Sequence, residues 1–244
     1  MKTMKPAFDK AYWKNGFYST KPESLKDDRA NAIAIVSGIA KPEYYNQIVD
    51  NVLIPNRFSS PHFEWIAEEA MCMAGRSKES LERMKDQYQS QVDKKDMTTL
   101  YEMFPNGGSY NHAWNAPNYV LSRYIAGISA TDVAWKTYQV LPDLAHMTAV
   151  KQVVPSVQGD ITVDIQKTDT SYRMQLISPA GTTAVVGIPK ASITPKTIEI
   201  NGSIFWKDGE FVGKLDGITW NGEDEKYIKF NVSPGTWAIA GKTH

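Results

Sequence analysis

The sequence predicts an α+β protein in two unlike parts, a helical one over residues 1–130 and an antiparallel β-sandwich or jelly-roll-like one over residues 131–244. Three observations predict this. Apolar residues recur every three to four positions as far as Ile128. Beyond Thr131 they alternate with polar residues at every second position. Pro142, Pro155, Pro179, Pro189, Pro195 and Pro234 punctuate that later part, where no helical stripe survives to serve as the crossover of a parallel sheet.

In chain order, residues 1–22 carry Tyr12, Trp13, Phe17 and Tyr18 around Gly16 with neither period, which predicts an irregular segment tied down by its rings. Ser24 with Asp27 three residues on resembles a capping box, and Ala30, Ile33, Ala34 and Ser37 then share a helical face that Gly38 ends. A shorter helix behind Pro42 carries Tyr45, Ile48, Val49 and Val52. Ser60 and Pro61 open the next helix, because proline at the first position gives up an N–H that had no partner there. Phe63, Ile66, Ala67, Ala70 and Ala74 form its stripe, and Gly75 closes it. Ser77 starts another, with Leu81, Met84, Tyr88 and Val92 on one face and charged Glu82, Arg83, Lys85 and Asp86 mostly outside it. A last helix is expected from Asn118 through Ile128, and short links favour antiparallel neighbours.

The strand signals are alternations: Ile161, Val163 and Ile165; Tyr172, Met174 and Leu176; Ile228, Phe230 and Val232, each with polar residues between. Asn201-Gly202, Asp208-Gly209 and Asn221-Gly222 are expected as turns beside them. The sequence contains neither an internal repeat nor a low-complexity tract.

Composition narrows the function classes. The 27 Lys and Arg balance the 27 Asp and Glu, so no global charge draws the chain to nucleic acid or to an anionic membrane. No run approaches the roughly 18 apolar residues of a membrane span, and the first ten residues lack the apolar core of a secretory signal, so a soluble protein is expected, its compartment open. One cysteine, Cys72, excludes an intramolecular disulfide and is expected as a small buried apolar residue. Seven Trp and twelve Tyr supply flat faces that stack on sugar rings as well as filling cores.

Chemistry concentrates between the fourth helix and the last. Within residues 98–114 stand Glu102, His112, Gly107-Gly108 and the rings of Tyr101, Phe104, Tyr110 and Trp114. A carboxylate between Tyr101 and Phe104 gains proton-transfer capacity if it faces a cleft, whereas in the structural alternative it caps a helix or pairs with a cation. His112 lines a polar pocket or packs beside Trp114. The histidines lack metal-ligand spacing, Gly107-Gly108 lacks the Lys-Ser or Lys-Thr of a phosphate loop, and Ser109 lacks a nucleophile-elbow context. No metal and no cofactor are expected.

Several stretches in order, Ser60-Pro61-His62-Phe63-Glu64-Trp65, Leu81-Glu82-Arg83-Met84, Thr98-Thr99-Leu100-Tyr101-Glu102, Ser109-Tyr110-Asn111-His112-Ala113-Trp114 and Tyr124-Ile125-Ala126-Gly127-Ile128, resemble the closing part of the catalytic domain of the bacterial α-L-rhamnosidases of glycoside hydrolase family 78. Asp27-Asp28-Arg29-Ala30-Asn31-Ala32 resembles a helix of that barrel. Residues 154–161 and 232–237 resemble the family's carboxy-terminal β-domain.

The resemblance implies an incomplete (α/α)6-barrel-like part followed by a β-sandwich, and inverting hydrolysis of terminal α-L-rhamnosides. It makes Glu102 the general base, with Tyr101 where tryptophan is usual, and places His112 and Trp114 at the sugar; Tyr101 and Asp28 are carried as further substrate-binding candidates. Inversion needs a second carboxyl group roughly 6.5–9.5 Å from the first. The family's acid comes from an upstream acidic-aromatic stretch absent here, and about five or six helices stand where a closed double ring needs about twelve. The chain is therefore expected to lack the acid, and to act on rhamnose-containing saccharides only with a missing amino-terminal portion or a second copy. Alternatively it is a non-catalytic carbohydrate-binding or structural module.

Overall fold

The computed structural model describes residues 3–21, 25–95, 99–105, 107–108 and 116–243. The chain divides into two compact units, residues 1–120 and 121–244.

The first unit opens with α1 (Met4–Tyr12), where the sequence pattern gave no period; Met4, Phe8 and Tyr12 lie one turn apart on it. The two-residue strands β1 (Trp13–Lys14) and β2 (Phe17–Tyr18) follow as a hairpin. Asn15 and Gly16 turn it with φ of 56° and 86°, the Asn-Gly signature of a type I′ turn. Helix α2 (Asp28–Val36) is capped by Asp27, whose carboxylate accepts from the backbone N–H groups of Arg29 and Ala30. Ser24 lies outside the described residues. Asn31 holds the hairpin to α2, accepting from Tyr18 N at 2.7 Å and donating to Tyr18 O at 3.1 Å.

Helix α3 (Tyr45–Ile48) continues as a π-helical turn over Val49–Leu53. Helices α4 (Pro61–Met73) and α5 (Ser77–Val92) carry most of the remaining length, and α6 (Ala116–Val120) ends the unit. The apolar core gathers Phe17, Ile35, Ile48, Leu53 and Met71, with Cys72 buried as expected. Three contacts give directions. Asp28 at the start of α2 accepts from Ser59, just before α4, so these two packed helices begin side by side. Ser80 Oγ donates to Glu68 O while Arg83 meets Glu64, so α5 runs antiparallel to α4. Among the described residues the helices form an open, incomplete toroid.

In the second unit the helix expected through Ile128 stops early. A π-helical turn over Leu121–Ile125 gives way to strand β3 (Ile128–Ala130). Gly127 is the reason: its φ is +74°, and a Cβ there would stand 2.2 Å from the Leu141 carbonyl carbon. Then come β4 (Thr137–Val140), β5 (Ala149–Ser156), β6 (Gly159–Lys167), β7 (Ser171–Ser178), β8 (Thr183–Pro189), β9 (Thr197–Ile200), β10 (Ser203–Lys207), β11 (Glu210–Phe211), β12 (Ile218–Glu223), β13 (Tyr227–Val232) and β14 (Gly235–Lys242).

They form a seven-stranded sheet, β11-β10-β9-β14-β7-β6-β5, and a five-stranded sheet, β12-β13-β8-β4-β3. The pairing is antiparallel except for β4 beside β8. Inward residues of both sheets, among them Tyr138, Val163, Tyr172, Leu176, Phe205, Phe230 and Ile239, make one sandwich core. Pro155 is tolerated because β5 is an edge strand. Asn201-Gly202 and Asp208-Gly209 adopt positive φ between consecutive strands, as expected of turns. Asn221-Gly222 instead lies inside β12, where the register against β13 shifts between Trp220 and Gly222, so its positive-φ glycine makes a bulge.

Candidate functional site

Because α5 runs back along α4, the residues after its end lie where α2 and α4 begin. There the chain passes through Tyr101, Glu102, Met103 and Phe104. Tyr101 is buried: its N–H donates to Gln91 Oε1 at 2.7 Å, its hydroxyl bonds Lys94, and that ammonium stands 5.0 Å from the ring centre. Phe104 turns to the same side, edge-on to Tyr88 with centroids 5.1 Å apart. Both rings thus face α5.

Glu102 is exposed, its carboxylate beside Gly108. Its backbone is fixed by a short return: Glu102 N donates to Gly108 O at 3.2 Å, and Met103 and Gly107 exchange bonds of 2.9 and 3.0 Å. Gly108 has φ of +69°, and a Cβ there would press to 3.2 Å from Glu102 Oε2. The glycine therefore both makes the return and leaves room for the carboxylate. His112 and Trp114 lie outside the described residues.

Asp28 is turned into the helical core and is fully buried. Its Oδ2 accepts from Phe58 N at 3.2 Å, Ser59 N at 3.3 Å, Ser59 Oγ at 3.1 Å and Arg83 Nη2 at 2.7 Å. Arg83, which sequence pattern put mostly outside its helix's apolar face, is 1% exposed. It also grips Glu64 through Nε at 2.5 Å and Nη2 at 2.8 Å, and donates from Nη1 to the carbonyls of Leu53 and Asn56 at 2.7 and 3.0 Å. One guanidinium thus ties the starts of α2 and α4 and the segment between α3 and α4. Burial alone would lower its pKa; the bonds and charges of Glu64 and Asp28 outweigh this and raise it.

Beside this network Glu68 is fully buried, and neither of its oxygens has a hydrogen-bond partner. Burial holds its pKa well above the ordinary carboxylate range, the Glu64 charge pushing the same way and Arg83 opposing. A carboxyl group in this setting keeps its proton. The Tyr88 hydroxyl is likewise buried and unbonded, its pKa raised by burial and by Glu68 and Glu64. Next along α4, Glu69 accepts from Tyr119 Oη of α6 at 2.9 Å, and Trp65 meets the Tyr119 ring edge-on at 5.6 Å. Sequence reasoning missed the Glu64, Glu68 and Arg83 cluster. The available signal was two glutamates four positions apart, within the apolar run of α4.

The described residues contain no group of three or more His, Cys, Asp or Glu side chains placed to hold a metal. No described helix is long and apolar enough to cross a membrane.

Residues 127–202, most of the two sheets' first strands, match the family described as the bacterial α-L-rhamnosidase C-terminal domain. The likeness is to α-L-rhamnosidases. Solved structures extend it over both units as fold. α-L-Rhamnosidase from Dictyoglumus thermophilum matches with a TM-score of 0.76 and 17% identity over 99% of this chain and 28% of its own. The Streptomyces avermitilis α-L-rhamnosidase, complexed with L-rhamnose, matches with 0.75 and 15% over 99% of this chain and 24% of its own. The Aspergillus terreus enzyme gives 0.60 and 15% over 77% and 24%. The chain therefore spans about a quarter of these α-L-rhamnosidases. No curated protein matches it by sequence.

Proposed function

We propose that the chain forms the base-bearing edge of an α-L-rhamnosidase-type site, which recognises a terminal rhamnose and holds the carboxylate that activates water. The observation that carries this is the fold likeness to α-L-rhamnosidases over nearly the whole chain, together with the exposed Glu102 set on a glycine-braced return at the end where α2 and α4 begin. Tyr101 anchors that return to α5, and Asp28 acts through Arg83, by fixing the helix starts. His112 and Trp114 complete the sugar contacts in this reading.

Inversion requires one group to take a proton from water and another, on the opposite side of the ring, to give one to the leaving oxygen. Glu102 serves the first role, and the second comes from polypeptide other than residues 1–244. Titration with L-rhamnose, followed by tryptophan fluorescence, tests the recognition. A saturable change that D-glucose does not produce is expected, and no response to either sugar would overturn the reading.

A second reading, a carbohydrate-binding module without catalysis, is favoured by the quarter-length span of the rhamnosidase structures. It predicts the same titration and no hydrolysis of any rhamnoside.

A further inference from the structure

We infer that Met103 is a site of reversible oxidation by hydroperoxides, and that its oxidation loosens the return on which Glu102 stands. Met103 follows Glu102 directly and is 57% exposed. Of the other described methionines, Met4 on α1 and Met73 on α4 are 52% and 38% exposed, Met147 is half-buried, and Met71, Met84 and Met174 are buried. A thioether carries no charge to attract or repel a peroxide, so access to solvent decides which methionine reacts first.

The Met103 side chain is also built into the return. Met103 and Gly107 exchange both backbone bonds as an antiparallel bridge. A Cβ on Gly107 would stand 3.0 Å from Met103 Cε and 3.1 Å from Met103 Cβ. The thioether therefore lies folded across the glycine and gives the bridge an apolar cover. One residue outward, Glu102 N donates to Gly108 O at 3.2 Å, so the bridge under Met103 is continuous with the bond that fixes the Glu102 backbone. Elsewhere the segment is held to α5 by Tyr101 on Gln91 and by Phe104 on Tyr88; the return itself is closed by the Met103–Gly107 pair and the Glu102 bond.

In the oxidation a sulfur lone pair takes the terminal oxygen of the hydroperoxide. An S–O bond forms, the O–O bond breaks, and the proton of the terminal oxygen passes to the departing oxygen, which leaves as water or an alcohol. Sulfur is oxidised by two electrons and the peroxide is reduced by two. The product is a polar sulfoxide where the apolar sulfur was. Its oxygen is better placed in water than against a glycine, so the side chain leaves Gly107 and the bridge opens more often. The inference concerns the return alone and asks nothing of the role proposed for Glu102, so the two are tested separately.

The test treats the purified chain with hydrogen peroxide, follows oxygen uptake at each methionine by peptide mapping, and measures hydrogen–deuterium exchange across residues 102–107. Met103 should be oxidised well before Met71, Met84 and Met174. Amide exchange in the return should then quicken about fourfold, the effect of losing roughly one methylene of apolar cover, and slow again after treatment with methionine sulfoxide reductase. Met103→Leu keeps an apolar side chain on Gly107 without a sulfur, so peroxide should leave its return unchanged while Met4 and Met73 still react. Met103→Gln puts a permanent polar group at this exposed position and should exchange fast without peroxide. Buried methionines reacting ahead of Met103, a return unaltered by oxidation, or equal quickening in Met103→Leu would overturn the inference.

Discussion

Arg83 and Glu64 meet entirely out of water, Nε to Oε1 at 2.5 Å and Nη2 to Oε2 at 2.8 Å, joining α5 to α4 by a two-pronged ion pair. Such a pair adds little net stability over an apolar replacement of both partners, but removing one partner strands a buried charge. Arg83→Met should therefore cost about 3–5 kcal/mol in urea unfolding followed by helical circular dichroism. Adding Glu64→Gln should recover part of the loss. Equal unfolding midpoints for Arg83→Met and the parent chain would show that the network does not hold the helices.

Glu68 sets a pH dependence of known sign. Its folded pKa lies well above the ordinary 4.5, chiefly through burial, so between those two values the folded state keeps a proton that the unfolded chain loses. Stability conferred by the neutral form is complete below about pH 4.5 and declines as pH rises toward the folded pKa, by up to about 1.4 kcal/mol per pH unit. Glu68→Gln keeps the shape and removes the titration, so its advantage over the parent should widen from pH 5 to pH 8. Unfolding curves that stay parallel across that range would refute the assignment.

Gly127 makes a test within the β unit. With φ of +74° and backbone 2.2 Å from any added Cβ, Gly127→Ala should cost more than about 2 kcal/mol and lower the unit's melting temperature. Gly202→Ala has a positive φ of 81° but open space and should cost less. The ranking of the two melting temperatures is the measurement.

Much of the architecture was legible because periodicity reports burial directly. The alternating Ile161, Val163 and Ile165 and the Ile228, Phe230 and Val232 are inward residues of two strands. Three kinds of information were hidden. Helix α1 is short, and a nine-residue segment bears too few turns for its stripe to stand out from the rings beyond it. The helix before β3 stops because Gly127 passes close to Leu141, a tertiary approach that local pattern does not encode. The inward turn of Arg83 depends on Asp28 and Glu64, which lie 55 and 19 residues away, so a charged residue read from its own helix looked solvent-facing. At the candidate site the sequence singled out Glu102 by composition. That Tyr101 and Phe104 turn to α5 and leave the carboxylate exposed depends on the return made by Gly107 and Gly108.

In the proposed function, Glu102 activates water at a rhamnose held on this chain. A 2,4-dinitrophenyl leaving group departs without protonation, so 2,4-dinitrophenyl α-L-rhamnoside relieves the need for an opposing acid while still requiring the base. The decisive measurement is the release of dinitrophenolate by the purified chain beside its Glu102→Gln variant. Slow, saturable release is expected, lowered by the substitution by about a hundredfold or more, with methyl α-L-rhamnoside left intact by both. Release equal in the two proteins, or none above the rate in buffer, would contradict it.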